Sequence, residues 1–115
     1  MKFSDSLKSN RDFKKVYNKG KSYANKYLVM YVLENWTHEN RLGISVSKKV
    51  GNSVVRHRIT RLIRESYRLN ENRICKGYDI VVVARVNAKG RNYDEIAGAW
   101  LHLCKLHGIL VDISE

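Results

Sequence analysis

The sequence predicts an α+β fold in which about four strands form a small sheet packed with three helices, in the order α-β-β-β-α-β-α. Three observations carry that expectation. Apolar residues recur at helical spacing around Phe13 and again from Ile96 to Leu106. They alternate at strand period from Tyr27 to Leu33 and from Leu42 to Val46. An apolar run, Ile80 to Ala84, lies between two helical segments, which suits a central strand of a sheet covered by helices.

Ser9 reads as the N-cap of the first helix, with Asp12 at its third position, and Phe13, Val16 and Tyr17 make one apolar stripe. Gly20 is expected to end it as a left-handed cap. Lys21 to Ala24 reads as a short strand and Tyr27 to Glu34 as a longer one, with Tyr27, Val29, Tyr31 and Leu33 sharing a face. In the next strand Leu42, Ile44 and Val46 alternate with Gly43, Ser45 and Ser47, which predicts one buried face and one open, small, polar face. Gly51-Asn52-Ser53 turns into a second helix over Val54 to Leu69. Gly77 precedes the strand Tyr78 to Arg85. Asn92, with Glu95 three residues on, starts a third helix whose core stripe is Ile96, Trp100, Leu103 and Leu106, and Gly108 stops it. Ile109 to Val111 is a candidate short strand.

A chain of 115 residues suits one domain over 1–115, and the absence of proline, repeats and low-complexity linkers agrees. Lys and Arg number 22 against 11 acids, a net charge of +11. Such self-repulsion is tolerated when the usual partner is an anion, either nucleic acid or an anionic membrane. The longest apolar run, Tyr27 to Leu33, falls far short of the roughly 20 residues of a spanning helix. The segment from Met1 to Ser6 lacks the apolar stretch of a signal peptide, so a cytoplasmic protein without a membrane partner is expected. Cys75 and Cys104 do not form a CxxC motif, and His38, His57, His102 and His107 show no zinc spacing. Cys104 lies in an apolar helical pattern and reads as a buried, inert thiol.

Seven basic residues, Arg41, Lys48, Lys49, Arg56, Arg58, Arg61 and Arg64, follow one another without an intervening acid. At about 100° per residue, Val55, Ile59, Leu62, Ser66 and Leu69 share one side of the second helix. His57, Arg61, Arg64 and Arg68 leave from nearly the opposite side, with Arg56 and Arg58 at the flanks. A merely solubilising helix would mix Glu with Lys at i, i+4, whereas arginine suits bidentate phosphate contact and can stack on bases. Lys48 and Lys49 lead into the helix's N-terminus, where free N–H groups would face an anion. Tyr31, on a strand beside the polar Ser45 face, is a candidate platform for unpaired bases, with Phe13 and Tyr17 one helical turn apart nearby.

The stretch Arg41-Leu42-Gly43-Ile44-Ser45-Val46-Ser47-Lys48-Lys49-Val50-Gly51-Asn52-Ser53-Val54-Val55-Arg56-His57-Arg58-Ile59-Thr60-Arg61-Leu62-Ile63-Arg64-Glu65 resembles the signature of the bacterial ribonuclease P protein subunit. The early Phe13-Lys14-Lys15-Val16-Tyr17 segment, the strand from Tyr78 to Arg85 and the chain length agree. The resemblance implies a sandwich whose second helix enters by a left-handed β-α-β crossover, against the usual handedness. It implies an endoribonuclease holoenzyme that matures the 5′ end of tRNA, with an RNA subunit as catalyst and no catalytic residue in the protein. Lys48, Lys49, Arg56, His57, Arg58, Arg61, Arg64 and Arg68 would bind that RNA subunit. Phe13, Tyr17, Tyr31 and Ser45 would line a cleft for the single-stranded 5′ leader of precursor tRNA. His57 stands where the family usually has Asn, which implies a local change of contact. Carboxylates are sparse near the basic run, so Mg²⁺ is expected to be held mainly by RNA.

Other classes remain open on the residues alone. A general RNA-binding or ribosome-associated module and a helix-turn-helix DNA binder share this composition. A protein ribonuclease using His57 as general base would need a second acid/base, and the sequence around His57 offers arginines instead.

Overall fold

A computed structural model of the chain describes residues 4–111. Its elements are β1 (Ser4–Ser6), α1 (Asn10–Lys19), β2 (Lys21–Ala24), β3 (Leu28–Glu34), β4 (Asn40–Ser45), α2 (Ser53–Leu69), β5 (Tyr78–Ala84) and α3 (Tyr93–His107), with 3-10 turns at Glu71–Arg73 and Val86–Ala88. The strands form one sheet in the order β1-β4-β5-β3-β2. β3 is antiparallel to β2 and β5, while β4 is parallel to β1 and β5. α2 is therefore the crossover between the parallel neighbours β4 and β5. The α+β class and the helix and strand order are those the sequence predicts, with β1 added at the edge. That strand is only Ser-Asp-Ser, so no apolar alternation announces it; it is held by its register with β4.

Central β5 is apolar on both faces, as its sequence predicts. Ile80 and Val82 pack toward α2 and α3 with Leu28, Met30 and Leu42. Val81 packs the other way, under Val16 of α1 and beside Leu7. The helices thus divide two to one across the sheet, and this division is what separates the two candidate surfaces.

Several local expectations change. Gly20 does end α1, but in an extended conformation (φ −78°, ψ 159°), so it is not a left-handed cap. Its role is close approach: a Cβ there would lie 2.6 Å from the Val16 carbonyl oxygen and 3.0 Å from that of Val32. Gly108, in contrast, is left-handed at φ 71° and caps α3 as expected. β3 begins at Leu28, one residue late, because the Asn25 side-chain oxygen accepts from both Tyr27 N–H and Leu28 N–H in a turn. The buried line of α2 runs through Ile59, Ile63, Ser66 and Tyr67, leaving Leu69 exposed. That is a rotation of roughly 60° from the expected stripe at about 100° per residue. Packing of the Tyr67 ring edge-on against Trp100, at 5.6 Å, sets it. On α3, Leu106 is exposed, and Cys104 takes a place in the core. Burial pushes the Cys104 thiol up to about 12, consistent with an inert group. Ile109 to Val111 contributes an isolated bridge, Leu110 to Ile74, in place of a strand.

The buried polar groups near the α1 face are satisfied. Asp79, only 2 % exposed, accepts from Arg41 Nε (2.9 Å) and Nη2 (2.6 Å) and from the Asn35 amide (2.9 Å). Arg41 also reaches Asp12 of α1 at 3.5 Å. Removing one partner of a buried pair strands the other charge. Arg41→Ala should therefore lower unfolding free energy by about 3 kcal/mol, measured by urea denaturation. A loss no larger than that of an exposed pair would show that Asp79 does not depend on Arg41.

Candidate nucleic-acid interface

The first surface is aromatic. α1 lies on the sheet with Val16 buried against Val81, and Phe13 falls over Gly43. A Cβ at Gly43 would come 2.7 Å from Phe13 Cζ and 3.2 Å from Leu7 Cβ, so glycine is what lets the ring sit so low. Tyr17, on the next turn, stands 6.2 Å from Phe13 between ring centroids and 4.9 Å from Tyr31, edge-on. The structure thus brings Phe13, Tyr17 and Tyr31 together as one chain of rings. Phe13 and Tyr31 are half-buried, and Tyr17 is exposed.

Sheet register extends this surface. Val81 pairs with both Tyr31 and Gly43, and the next row on that face is Val29, Val83 and Ser45. All three are half-buried, so Ser45 ends a shelf beside the rings. The open face expected along β4 is therefore closed at Gly43 by Phe13 and open only at Ser45, while Ser47 lies beyond the strand. Val29 and Val83, not singled out from the sequence, floor the shelf. Their signal was the alternation that already placed Val29 on Tyr31's face.

The second surface is basic. Arg41, which opens the acid-free run, does not belong to it: its guanidinium is bound into the Asp79 and Asp12 network described above. Lys48 and Lys49 are exposed on the turn after β4, anchored by buried Val50. Asn52 caps α2 by accepting from Val55 N–H at 3.0 Å. One N–H expected to face an anion is thereby taken, leaving those of Ser53 and Val54 without an intrahelical partner. Gly51 has no positive φ; its lack of a side chain makes room for Val55, 2.7 Å from where a Cβ would stand.

Along α2, His57, Arg58, Arg61, Arg64 and Arg68 are exposed. The rotated core line half-buries Arg56, whose Nε donates to the Gly51 carbonyl at 3.2 Å and stiffens the turn. Arg58 donates to the Arg91 carbonyl at 2.8 Å, and the Arg91 guanidinium lies 5.0 Å from the Tyr27 ring centroid. Neither Arg91 nor Tyr27 was a candidate, because both lie outside the basic run. Arg68 grips Glu65 at 2.6 and 2.8 Å, and that hydrogen bond holds the Glu65 carboxyl below its ordinary value. A shallow groove of about 570 Å³ runs along the helix between His57, Arg58, Thr60, Arg61 and Arg64, and no carboxylate lines it.

A family model described as Ribonuclease P matches residues 1–107. The chain belongs to the ribonuclease P protein family. It is 65% identical over 107 residues to the ribonuclease P protein component of Lachnoclostridium phytofermentans, covering 93% of this chain and 92% of that one. Among solved structures, a Staphylococcus aureus RNase P protein mutant with defective mRNA degradation activity matches at 40% identity with a TM-score of 0.85, over 91% of this chain and 89% of that one. The RNase P protein from Thermotoga maritima matches at 33% identity with a TM-score of 0.81, over 88% and 96%. The match over residues 1–107 sets this family ahead of a ribosome-associated module or a DNA-reading helix-turn-helix.

Arg61 and Arg64 lie far from the buried line of α2, so their charge is open to solvent and they add little to the core. Replacing either with Ala should leave the thermal midpoint nearly unmoved. The log–log salt slope of RNA binding should flatten by about one unit for each phosphate that the variant no longer neutralises. A collapse in melting temperature with an unchanged slope would make these arginines structural.

Proposed function

We propose that this ribonuclease P protein serves tRNA 5′ maturation by holding two RNA segments at once and supplying no reactive group. Lys48, Lys49 and the exposed α2 side chains His57, Arg58, Arg61, Arg64 and Arg68, with Arg56 bracing the turn, bind the RNA subunit. Phe13, Tyr17, Tyr31 and the Ser45 shelf hold the single-stranded leader of precursor tRNA. The observation that carries the reading is the placement of α1 and α2 on opposite faces of one sheet. A leader can lie on the ring side while a folded RNA lies on the arginine side, without either covering the other.

The chemistry of each surface fits its segment. Unpaired bases expose π-faces that stack on aromatic rings, worth roughly 1–3 kcal/mol per base. Folded RNA presents phosphates in fixed geometry, which suits the planar fork of arginine. Binding both lowers the repulsion between substrate and RNA subunit and tethers the leader.

Support for a non-catalytic protein comes from the surroundings of His57. Its groove offers arginines and Thr60, and the nearest acid on α2, Glu65, is held by Arg68. General acid–base cleavage needs a partner that this groove does not provide. The basic groove is lined by no carboxylate, and Asp12 and Asp79 on the other face are engaged with Arg41, which supports holding the Mg²⁺ that cleavage uses on RNA phosphates. No helix among the described residues is long and apolar enough to cross a membrane.

Cleavage and binding assays with the RNA subunit test this directly. With it, one cut is expected at the 5′ end of the mature tRNA. Tyr31→Ala should weaken binding of precursor tRNA by about 1 kcal/mol or more, with mature tRNA nearly unaffected. Protein alone should leave both precursor tRNA and an unstructured mRNA intact. Equal losses for the two tRNAs would remove the leader cleft, and RNA-free cleavage abolished by His57→Ala would make the chain an enzyme in its own right.

A further inference from the structure

On the flank of α1 opposite the aromatic cleft lies an open cavity of about 580 Å³ that neither RNA surface uses. Taking Val16 as the buried direction, Phe13 and Tyr17 leave α1 on one side and Lys15 and Lys19 on the other, at about 100° per residue. Both lysines line the cavity, together with Trp36 and Glu39 from the β3–β4 connection and the paired Arg41 and Asp79, while Glu34, the last residue of β3, pairs in register with Tyr78 and faces the other side of the sheet. Trp36 is 86 % exposed, the highest value among the exposed large apolar side chains. It is also held in the left-handed region at φ 59°, an unfavourable conformation for so bulky a residue.

The loop fixes that posture. The Asn35 amide donates to the Glu39 carbonyl and to Asp79, and its oxygen accepts from Thr37 N–H at 2.9 Å. The indole is thus presented on a braced loop, next to two ammonium groups and the Glu39 carboxylate. Among the described residues, the Glu39 carboxylate has no ion pair or side-chain hydrogen bond.

We propose that this cavity binds one unpaired guanosine of RNA, with the base stacked on Trp36, its pairing edge on Glu39, and its phosphates on Lys15 and Lys19. A carboxylate is acceptor-only, with two oxygens that take two parallel donors. Guanine alone among the four bases offers two adjacent donors on its pairing edge, N1–H and the N2 amino group. Adenine offers a donor beside an acceptor, uracil a donor between acceptors, and cytosine a single amino group. The mixed charge of the site has a use on this account: ammonium for phosphate, carboxylate for the base edge. The site needs only that the chain meets single-stranded RNA, and so goes beyond the assignment of the leader to the aromatic cleft.

Trp36 and Trp100 are the two tryptophans, and Trp100 is fully buried, so quenching by a short RNA reports on Trp36. The full chain is titrated with UUGUU and with UUAUU, following fluorescence and, for variants lacking the indole, anisotropy of labelled RNA. UUGUU should quench strongly and bind about 10-fold more tightly, the discrimination of one good bidentate contact. Trp36→Ala should weaken both and abolish the quench, and Glu39→Gln should bring UUGUU down to the UUAUU level. In Tyr31→Ala the ratio of the two affinities should persist, which separates failure of this site from failure of the leader cleft. Repeating the comparison with leaders that carry or lack a guanosine, and with the RNA subunit alone, tells which RNA supplies the nucleotide. Equal affinity for the two pentamers, or a preference that survives Glu39→Gln, would overturn the proposal.

Discussion

α1 can lie directly on the sheet because Gly43 carries no side chain. Phe13 fills that space, Val16 then reaches Val81, and Tyr17 is brought against Tyr31. The chain of rings exists only while the helix sits at this height. Two further constraints hold it there. At one end Gly20 lets the backbone pass against the Val16 and Val32 carbonyls. Along its length, Arg41 bridges from buried Asp79 to Asp12. The cleft is accordingly a consequence of backbone approach and one ion-pair network, and the aromatic side chains only line what those contacts define.

The basic surface depends on a different element and is built from fewer constraints. Once Ile59, Ile63 and Tyr67 are buried against the sheet and Trp100, helical geometry alone decides which arginines face water. Arg61, near the far side of α2, is exposed, while Arg56, close to the core line, turns back to brace the Gly51 turn. Concentrating so much positive charge on one helix is tolerable in an isolated protein because solvent and salt screen it. In the proposed complex, releasing that repulsion and the counterions of RNA would make the same face adhesive.

Much of this was legible in the sequence because periodicity and capping are local. Ser9 with Asp12, Asn92 with Glu95, and the double-faced run of β5 each announce an element through residues within a few positions of one another. The outward direction of Arg61, Arg64 and Arg68 followed from helical spacing even though the core line was displaced. What could not be read depended on contacts distant in the chain. Tyr67 meets Trp100, which turns α2; Phe13 meets Gly43, which closes a face that alternation alone leaves open; Arg41 meets Asp79, which removes one arginine from the basic run. Trp36 lies in the polar stretch between β3 and β4, and of the Asn35 side-chain bonds that brace it only the one to Asp79 reaches across the chain.

The claim on which the account turns is that the seating of α1 at Gly43 creates the site for the leader independently of the arginine face. Gly43→Ala tests it. The added methyl meets the far end of the Phe13 ring, so the ring must move while the half-exposed side chain gives the fold room to survive. The measurement is the ratio of affinities for precursor and mature tRNA in the reconstituted holoenzyme, with affinity for the RNA subunit taken on the same preparation. The account predicts that the ratio falls toward unity while RNA-subunit affinity is unchanged. An unchanged ratio, in a variant whose Phe13 ring has been shown to move, would contradict it.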